Sequence, residues 1–333
     1  MNTKTHLFFM RPISTCVVVL AIFLLTSCES ATSSPTPEQT WPSEVTAIEY
    51  ISPADNTPQP ALFYKPATHQ PAPLLVALHT WSGDYQSLSL PYAEWCIKNN
   101  WVLIHPNFRG PNDHPEATGS DMAIQDILSA VDYAKKNANV DPNRIYLVGA
   151  SGGGYTALMV VARDPDIWAA ASVWVPITDL SAWYYQSKKI QPEYADDIVK
   201  SLGGAPGDSA EVDLAYQERS PITHLSPSIT TPIDINAGIH DGHLGRVFID
   251  HSLLAFNALA DPKDQILDND INYLVNNAQV PKHLIDPFLS DPSYGVNQPL
   301  FRKQSGRVRI TIFDGGHEII FNAALTWLSM QSK

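Results

Sequence analysis

One serine of the chain lies between closely spaced glycines at the end of an apolar stretch. Residues 144–155 read RIYLVGASGGGY, so Gly149 and Gly153 stand two positions before and after Ser151. A strand that turns sharply into a helix holds such a serine in a strained conformation, and small residues at those two positions let the strand and helix backbones approach. The turn exposes the Ser151 hydroxyl and directs the N–H of Gly152 at the place where an oxyanion would form. The pattern therefore predicts a nucleophilic serine with Gly152 as an oxyanion donor.

The same glycines could instead belong to a loop that holds a phosphate. The dinucleotide-binding pattern Gly-x-Gly-x-x-Gly would need a glycine at the position of Ser151, and no Gly-Lys-Ser or Gly-Lys-Thr follows. We therefore favour the nucleophile. No residue of the chain implies a cofactor.

A nucleophilic serine needs a histidine as base and a carboxylate that orients the imidazole, and after such a turn they follow in the order Ser, Asp, His. Asp241 comes just past one predicted strand, and His317 follows two glycines after the last one. These residues are the predicted acid and base. Asp234 is the competing carboxylate, but it lies inside its strand, where its side chain would point into the packing. His240 and His243 flank Asp241, yet no fourth ligand follows at the usual spacing, so no metal site is predicted.

The second oxyanion donor is expected in the loop after the predicted strand 74–78, where residues 79–83 read HTWSG. The backbone N–H of Trp81 is the candidate, with Thr80 as the alternative. The Trp81 ring would then cover the pocket, and packing in the core is an equal alternative.

Two long intervals separate the predicted elements, over residues 178–231 and 261–305. Both are expected to be insertions that cover the pocket as lids, the second of them rich in loops. The first contains Trp183 and Tyr184, which we predict to contact the substrate.

Apolar runs between turn residues predict an antiparallel hairpin, followed by strands that alternate with helices. The strands are predicted over residues 45–51, 60–65, 74–78, 101–106, 145–148, 169–175, 233–237 and 307–313, and the helices over 88–99, 120–138, 155–163 and 318–329. Apolar strands separated by helices are typical of a mostly parallel sheet covered on both faces, with its site at the carboxyl ends of the strands. We therefore predict an α/β fold of the α/β-hydrolase type, a doubly wound sheet with lid insertions, over residues 43–333.

The first residues are typical of an export signal rather than of a folded domain. An apolar run over residues 17–25 follows basic residues and is too short to span a bilayer comfortably. It ends in the sequence LTSC, which resembles the lipobox of bacterial lipoproteins and implies cleavage before a lipid-modified Cys28. We predict a signal peptide over residues 1–27 and a Ser/Thr/Pro-rich tether over residues 28–42. The protein would then be extracytoplasmic, in the periplasm or at the cell surface, and held to a bacterial membrane by this lipid alone; the alternative is ordinary cleavage that leaves Cys28 free.

The 333 residues carry a net charge of −13 and are 44% hydrophobic, which is typical of a globular protein with a sizeable core. A surface this acidic argues against nucleic acid or anionic lipid as a partner. Cys96 lies in a helical pattern and is expected to be a small buried apolar residue.

Several short motifs together resemble the catalytic domain of the prolyl oligopeptidase family of serine hydrolases, from about residue 74 to the end. They are NFRG at 107–110, DPNRI at 141–145, the GASGG turn, SPI at 220–222 and Asp241. The resemblance implies an α/β-hydrolase fold with Ser151, Asp241 and His317 as catalytic residues. The chain departs from the family at Gly152, where an aromatic residue is usual, and at residues 79–81, where the family has His-Gly-Gly. These departures bear on peptidase activity and not on the fold.

The Leu78-His79 loop and the Gly-Gly-His sequence near the end are also similar to bacterial feruloyl and acetyl-xylan esterases. Our main hypothesis is ester hydrolysis through an acyl-enzyme, on carbohydrate-linked or other extracytoplasmic esters. The alternative is hydrolysis of short peptides, as aminoacyl or dipeptidyl amides. A third hypothesis, a noncatalytic binding protein on a hydrolase scaffold, is less favoured because all three candidate residues are present.

Overall fold

In the computed structural model, which describes residues 40–333, the chain forms a nine-stranded sheet. The strands are β1 (Thr46–Ile51), β2 (Pro58–Tyr64), β3 (Ala72–Leu78), β4 (Val102–Pro106), β5 (Val140–Ala150), β6 (Ala170–Trp174), β7 (Ile233–Gly238), β8 (Pro299–Ser305) and β9 (Val308–Phe313). Their order is β1-β2-β4-β3-β5-β6-β7-β9-β8. The six strands from β4 to β9 in this order are parallel, whereas β1, β2 and β8 pair antiparallel at the two edges.

The α-helices of the described residues are α1 (Leu90–Asn99), α2 (Asp121–Asn137), α3 (Gly152–Arg163), α4 (Leu180–Ile190), α5 (Pro192–Leu202), α6 (Ala210–Glu218), α7 (Asp250–Leu259), α8 (Asp268–Asn277) and α9 (Phe321–Ser329). Side-chain caps fix where some of them begin, because the first N–H groups of a helix have no partner within it. The Ser120 hydroxyl accepts from Ala123 N at the start of α2, and the Asp179 carboxylate accepts from Ala182 N at the start of α4, each at 3.0 Å.

The core lies on both faces of the parallel strands. Every residue of β3, β4, β6 and β7 is buried, which is the pattern expected of a parallel sheet covered by helices on two sides. Cys96 is buried in α1 as predicted, and burial raises the pKa of its thiol. Among the described residues, no helix combines the length and the apolar character needed to cross a bilayer.

The predicted mostly parallel α/β architecture is confirmed, and each predicted strand and helix has a counterpart in the structure. The last helix begins at Phe321 instead of residue 318, because Glu318 stays in the preceding loop, where its Oε1 accepts from Gly316 N at 3.1 Å. The interval 261–305 was expected to be rich in loops but contains α8 and the edge strand β8. The predicted signal peptide, Cys28 and most of the predicted tether lie outside the described residues.

Candidate active site

The predicted nucleophile lies on a strained turn. Ser151 joins β5 to α3 with φ +55° and ψ −120°, a positive φ that residues with a side chain rarely adopt. Its N–H donates to Trp174 O at 2.9 Å. A Cβ added at position 149 would lie 2.3 Å from Gly153 O, and one at position 153 would lie 2.6 Å from Leu78 O. Contacts this short do not occur, so only glycine lets these backbones meet.

Asp241 and His317 form the second part of the site. His317 Nδ1 donates to Asp241 Oδ2 at 2.7 Å. The other oxygen, Oδ1, accepts from the N–H groups of Gly242 at 3.0 Å and Val247 at 3.3 Å. The Asp241 side chain is buried, whereas 16% of the His317 side chain is exposed. The carboxylate therefore favours the tautomer of His317 with its proton on Nδ1, which leaves Nε2 free to accept a proton.

The strand order places these three residues at one edge of the sheet. β5, β6, β7 and β9 are parallel neighbours, so Ser151, Asp241 and His317 all follow carboxyl ends of strands. The loops that carry the acid and the base are joined by a hydrogen bond from His240 N to Gly315 O at 3.0 Å. Among residues 40–333, the His317 side chain forms a hydrogen bond through Nδ1 and none through Nε2. The hydrogen bond between a nucleophilic serine and its base often forms only when substrate is bound.

Two backbone N–H groups lie beside the serine. Gly152 is the first residue of α3, where a helical N–H has no partner within the helix. A Cβ added to Gly152 would lie 2.3 Å from Trp81 N and 2.4 Å from Trp81 Cα. The structure therefore brings together the two predicted oxyanion donors, and Trp81 rather than Thr80 supplies the nearest backbone nitrogen.

Aromatic residues connect this region to the first insertion. Trp81 is buried, and its ring lies edge-on to Trp183 of α4, with 4.7 Å between the ring centroids. Trp183 stacks on Tyr194 of α5 at 5.3 Å, and its Nε1 donates to Arg246 O at 3.1 Å. Arg246 in turn donates from Nη1 to the Tyr194 hydroxyl at 2.8 Å. Trp183 thus joins the loop of residues 79–83, named here the oxyanion loop, to the loop that carries Asp241. Sequence reasoning missed both Tyr194 and Arg246 as its partners.

Tyr184 does not share this position. Successive residues of a helix point about 100° apart, so Tyr184 faces away from its neighbour Trp183. Its ring lies 5.2 Å from Tyr185 and 6.4 Å from Tyr216, and its hydroxyl accepts from Lys188 Nζ at 3.2 Å. The structure therefore places Tyr184 in the packing of the insertion and not beside Trp81.

The competing carboxylate is engaged elsewhere. Asp234 is fully buried within β7, where its Oδ1 accepts from Arg309 Nε at 2.7 Å and its Oδ2 accepts from Asn236 Nδ2 at 2.9 Å. Both oxygens are therefore occupied away from His317.

The histidines that flank the acid have separate partners. His240 Nε2 lies 3.7 Å from Asp314 Oδ1, and His243 Nε2 lies 2.6 Å from Val275 O. In the part of the chain that the structure describes, no group of three histidine, cysteine or acidic side chains is arranged to hold a metal ion.

The sequence profile described as "Prolyl oligopeptidase family" matches residues 92–285, which is more than half of the chain. The chain belongs to the prolyl oligopeptidase family. Its described residues have the α/β-hydrolase fold of that family. The match includes Ser151 and Asp241 and ends before His317.

Individual relatives are distant and longer. Dipeptidyl aminopeptidase BIII of Pseudoxanthomonas mexicana is 24% identical over 60% of this chain and 30% of its own length. An acetylxylan esterase of Coprinopsis cinerea is 29% identical over 33% of this chain and 33% of its own length. Among solved structures, the acylaminoacyl peptidase of Pyrococcus horikoshii has a TM-score of 0.53 and 19% identity, over 65% of this chain and 34% of that one. The chain thus spans about a third of the length of these relatives, and the structural likeness concerns the fold alone.

Replacing Ser151 tests the nucleophile. Because only an activated serine reacts with a fluorophosphonate, we expect Ser151→Ala to abolish labelling and to lower kcat by about 10³ or more. Labelling is measured by mass spectrometry of the intact protein, with Ser181→Ala in α4 as a control that keeps the label. A Ser151→Ala protein that is still labelled would rule out this turn as the reactive site.

A matched pair of substitutions tests the acid. Asp241→Asn turns an acceptor into a donor opposite His317 Nδ1 and favours the wrong tautomer, so kcat should fall by about 10⁴ with little change in Tm. Asp234→Asn should weaken the buried pair with Arg309, at a cost of about 3 to 5 kcal/mol in stability, and leave turnover per folded molecule near normal. Thermal unfolding and turnover per folded molecule are measured for both variants. A loss of turnover in Asp234→Asn, with a loss of stability alone in Asp241→Asn, would assign the acid to Asp234.

Proposed function

We propose that this protein is a serine peptidase that hydrolyses short peptides or aminoacyl amides through an acyl-enzyme. The observation that carries this proposal is the 2.7 Å hydrogen bond between Asp241 and His317, at the sheet edge where Ser151 lies on its strained turn. Membership of a peptidase family and the similarity to a dipeptidyl aminopeptidase support an amide as the bond that is cleaved.

In acylation, Ser151 Oγ attacks the carbonyl carbon of the substrate while His317 Nε2 takes the hydroxyl proton. The buried Asp241 carboxylate stabilises the imidazolium that forms. The N–H groups of Gly152 and Trp81 bind the oxyanion, where charge develops in the transition state. His317 then donates its proton to the leaving nitrogen, the C–N bond breaks, and water attacks the acyl-enzyme with His317 again as base.

The leaving group decides between amide and ester. An amine leaves only when its nitrogen is protonated as the C–N bond breaks. Amide hydrolysis therefore depends on a base that can donate the proton taken from the serine to that leaving nitrogen. The short bond to Asp241 holds the His317 ring in one orientation, which meets this need. Ester hydrolysis is the second candidate function, supported by the similarity to an acetylxylan esterase and by Gly152 in place of an aromatic residue.

Side-by-side substrate profiling tests this choice. We expect purified protein of residues 40–333 to cleave aminoacyl and dipeptidyl anilides with a kcat/KM above that for feruloyl and acetyl-sugar esters. Activated aryl esters are left out because any reactive serine cleaves them, and Ser151→Ala serves as the blank. Turnover of the natural-type esters with none of the anilides would replace the peptidase by the esterase.

We also propose that the mature chain begins at a lipid-modified Cys28 and is extracytoplasmic. This rests on the LTSC sequence after the apolar run. Cys28→Ala should abolish acylation, and because inserted acyl chains supply the membrane affinity, the protein should be released or retained as a precursor. The release is measured by detergent partitioning of the full chain, expressed in its bacterial host. A processed Cys28→Ala protein that stays in the detergent phase would contradict the lipid anchor.

A further inference from the structure

We propose that His79 is a positioning residue that fixes the peptide whose N–H binds the oxyanion, an inference that rests on the proposed function. That peptide joins Thr80 to Trp81, so it carries Thr80 C=O at one end and Trp81 N–H at the other. A trans peptide is planar, and its C=O and N–H point in opposite directions. Whatever holds Thr80 O therefore also sets the direction of the Trp81 N–H.

Two donors hold that carbonyl. His79 Nδ1 lies 2.9 Å from Thr80 O, and Gly83 N donates to the same oxygen at 3.1 Å. Hydrogen bonds to a carbonyl also polarise the peptide and strengthen its N–H as a donor. Within residues 40–333 the Trp81 N–H has no acceptor of its own, and it lies against the Gly152 backbone. The carbonyl of this peptide is thus held by the protein, whereas its N–H, beside Gly152, is unpaired among the described residues.

The imidazole itself is fixed. It is 2% exposed and stacks on Phe108, with ring centroids 3.8 Å apart and 7° between the planes. Its Nε2 lies 2.9 Å from Asn107 O, which already accepts from Gly110 N at 2.7 Å. Burial lowers the pKa of His79 and favours the neutral ring, which carries one proton. Each carbonyl that faces the ring already accepts from a backbone N–H, Asn107 O at 2.7 Å and Thr80 O at 3.1 Å. The longer bond leaves Thr80 O the less satisfied acceptor, so the ring proton is placed on Nδ1, on Thr80 O.

The loop under the ring is anchored in turn. Phe108 and Arg109 have φ values of +31° and +80°, so this loop is strained and needs support from its surroundings. The Arg109 guanidinium supplies it through ion pairs to Asp55 and to the buried Asp126, each at 2.6 Å. The stacking surface for His79 is therefore rigid.

The other side of Trp81 is held independently. Trp81 O accepts from Asn112 N at 2.8 Å and from Asn112 Nδ2 at 3.1 Å, and Asn112 Oδ1 accepts from Thr118 N at 2.9 Å. The residue is thus held at both flanking carbonyls, and His79 is the side chain that acts on the peptide with the oxyanion N–H.

Two substitutions separate the two nitrogens of the ring. An asparagine places its amide nitrogen near the position of Nδ1, and a glutamine places it near that of Nε2. We expect His79→Gln to lower kcat by about tenfold to a hundredfold with KM within about twofold, because the lost interaction acts only in the transition state. His79→Asn, which keeps a donor for Thr80 O, should stay within about fivefold of the wild-type kcat.

A neighbouring histidine supplies the control. His105 is fully buried, and its ring lies 6.4 Å from that of His79, but its Nδ1 faces Tyr85 O and not the oxyanion loop. His105→Asn should lower Tm without the fall in kcat. Equal losses in His79→Asn and His79→Gln, or wild-type kcat in His79→Gln, would overturn the positioning role. Wild-type protein with no Ser151-dependent turnover would instead refute the proposed function.

A measurement on the unsubstituted chain covers the case in which the variants do not fold. In ¹⁵N-histidine-labelled protein we expect the Nδ1 of His79 to carry a proton that exchanges slowly with water, with the ring assigned to His79 by nuclear Overhauser contacts to the stacked Phe108 ring. A His79 ring whose neutral proton is on Nε2 would overturn the inference whatever the activity.

Discussion

The structure depends on a close backbone contact at the serine turn. The Gly152 backbone lies against Trp81, and the Gly153 backbone lies against the carbonyl of Leu78, at distances that exclude any side chain. The positive φ of Ser151 costs on the order of 1 to 3 kcal/mol. α3, which follows directly, buries Leu158, Met159 and further apolar side chains that each contribute about 1.5 to 3 kcal/mol. The stabilisation from burying these side chains is therefore several times larger than the cost of the positive φ, and it keeps the turn in place.

The same reasoning applies to the acid. Burying a carboxylate is costly unless hydrogen bonds replace water, and Asp241 has three, from two backbone N–H groups and from His317. The loop after β7 therefore has a low-energy conformation only when its N–H groups converge on Oδ1. A buried carboxylate satisfied in this way presents one remaining oxygen in a fixed direction, and that oxygen orients the base.

Local sequence was sufficient for those parts of the site that follow directly from apolar strands. Ser151, Asp241 and His317 each come just after such a strand, and a parallel sheet collects these ends at one edge. The edge strand β8 was missed because it begins with proline and carries charged residues such as Arg302 and Lys303, and only its pairing with β9 shows that it is a strand.

Contacts between distant segments account for the rest of what sequence reasoning missed. Tyr184 and Trp183 are both predicted to contact the substrate, and this stays a prediction for each. That only Trp183 lies beside Trp81 could not be read from the sequence, because the direction of a side chain on α4 depends on which face of the helix packs inward. The sequence placed His79 in a loop motif but did not indicate what its ring does, because the ring is fixed by Asn107 and Phe108, about 28 residues away. Asn112 gave no signal, since it acts on the carbonyl of Trp81, which only the folded chain brings near.

The connection through Trp183 explains why motifs alone distinguish poorly between ester and peptide. Its ring contacts Trp81 of the oxyanion loop, and its Nε1 holds the carbonyl of Arg246 in the loop that carries Asp241. The first insertion is therefore packed against two of the loops to which the proposed mechanism assigns the chemistry. In that mechanism serine, acid and base act in the same way on either substrate, so the residues that select the substrate are expected among the insertions and the loops that they contact. Those residues lie outside the Gly-x-Ser-x-Gly turn, and the turn by itself indicates the reaction and not the substrate.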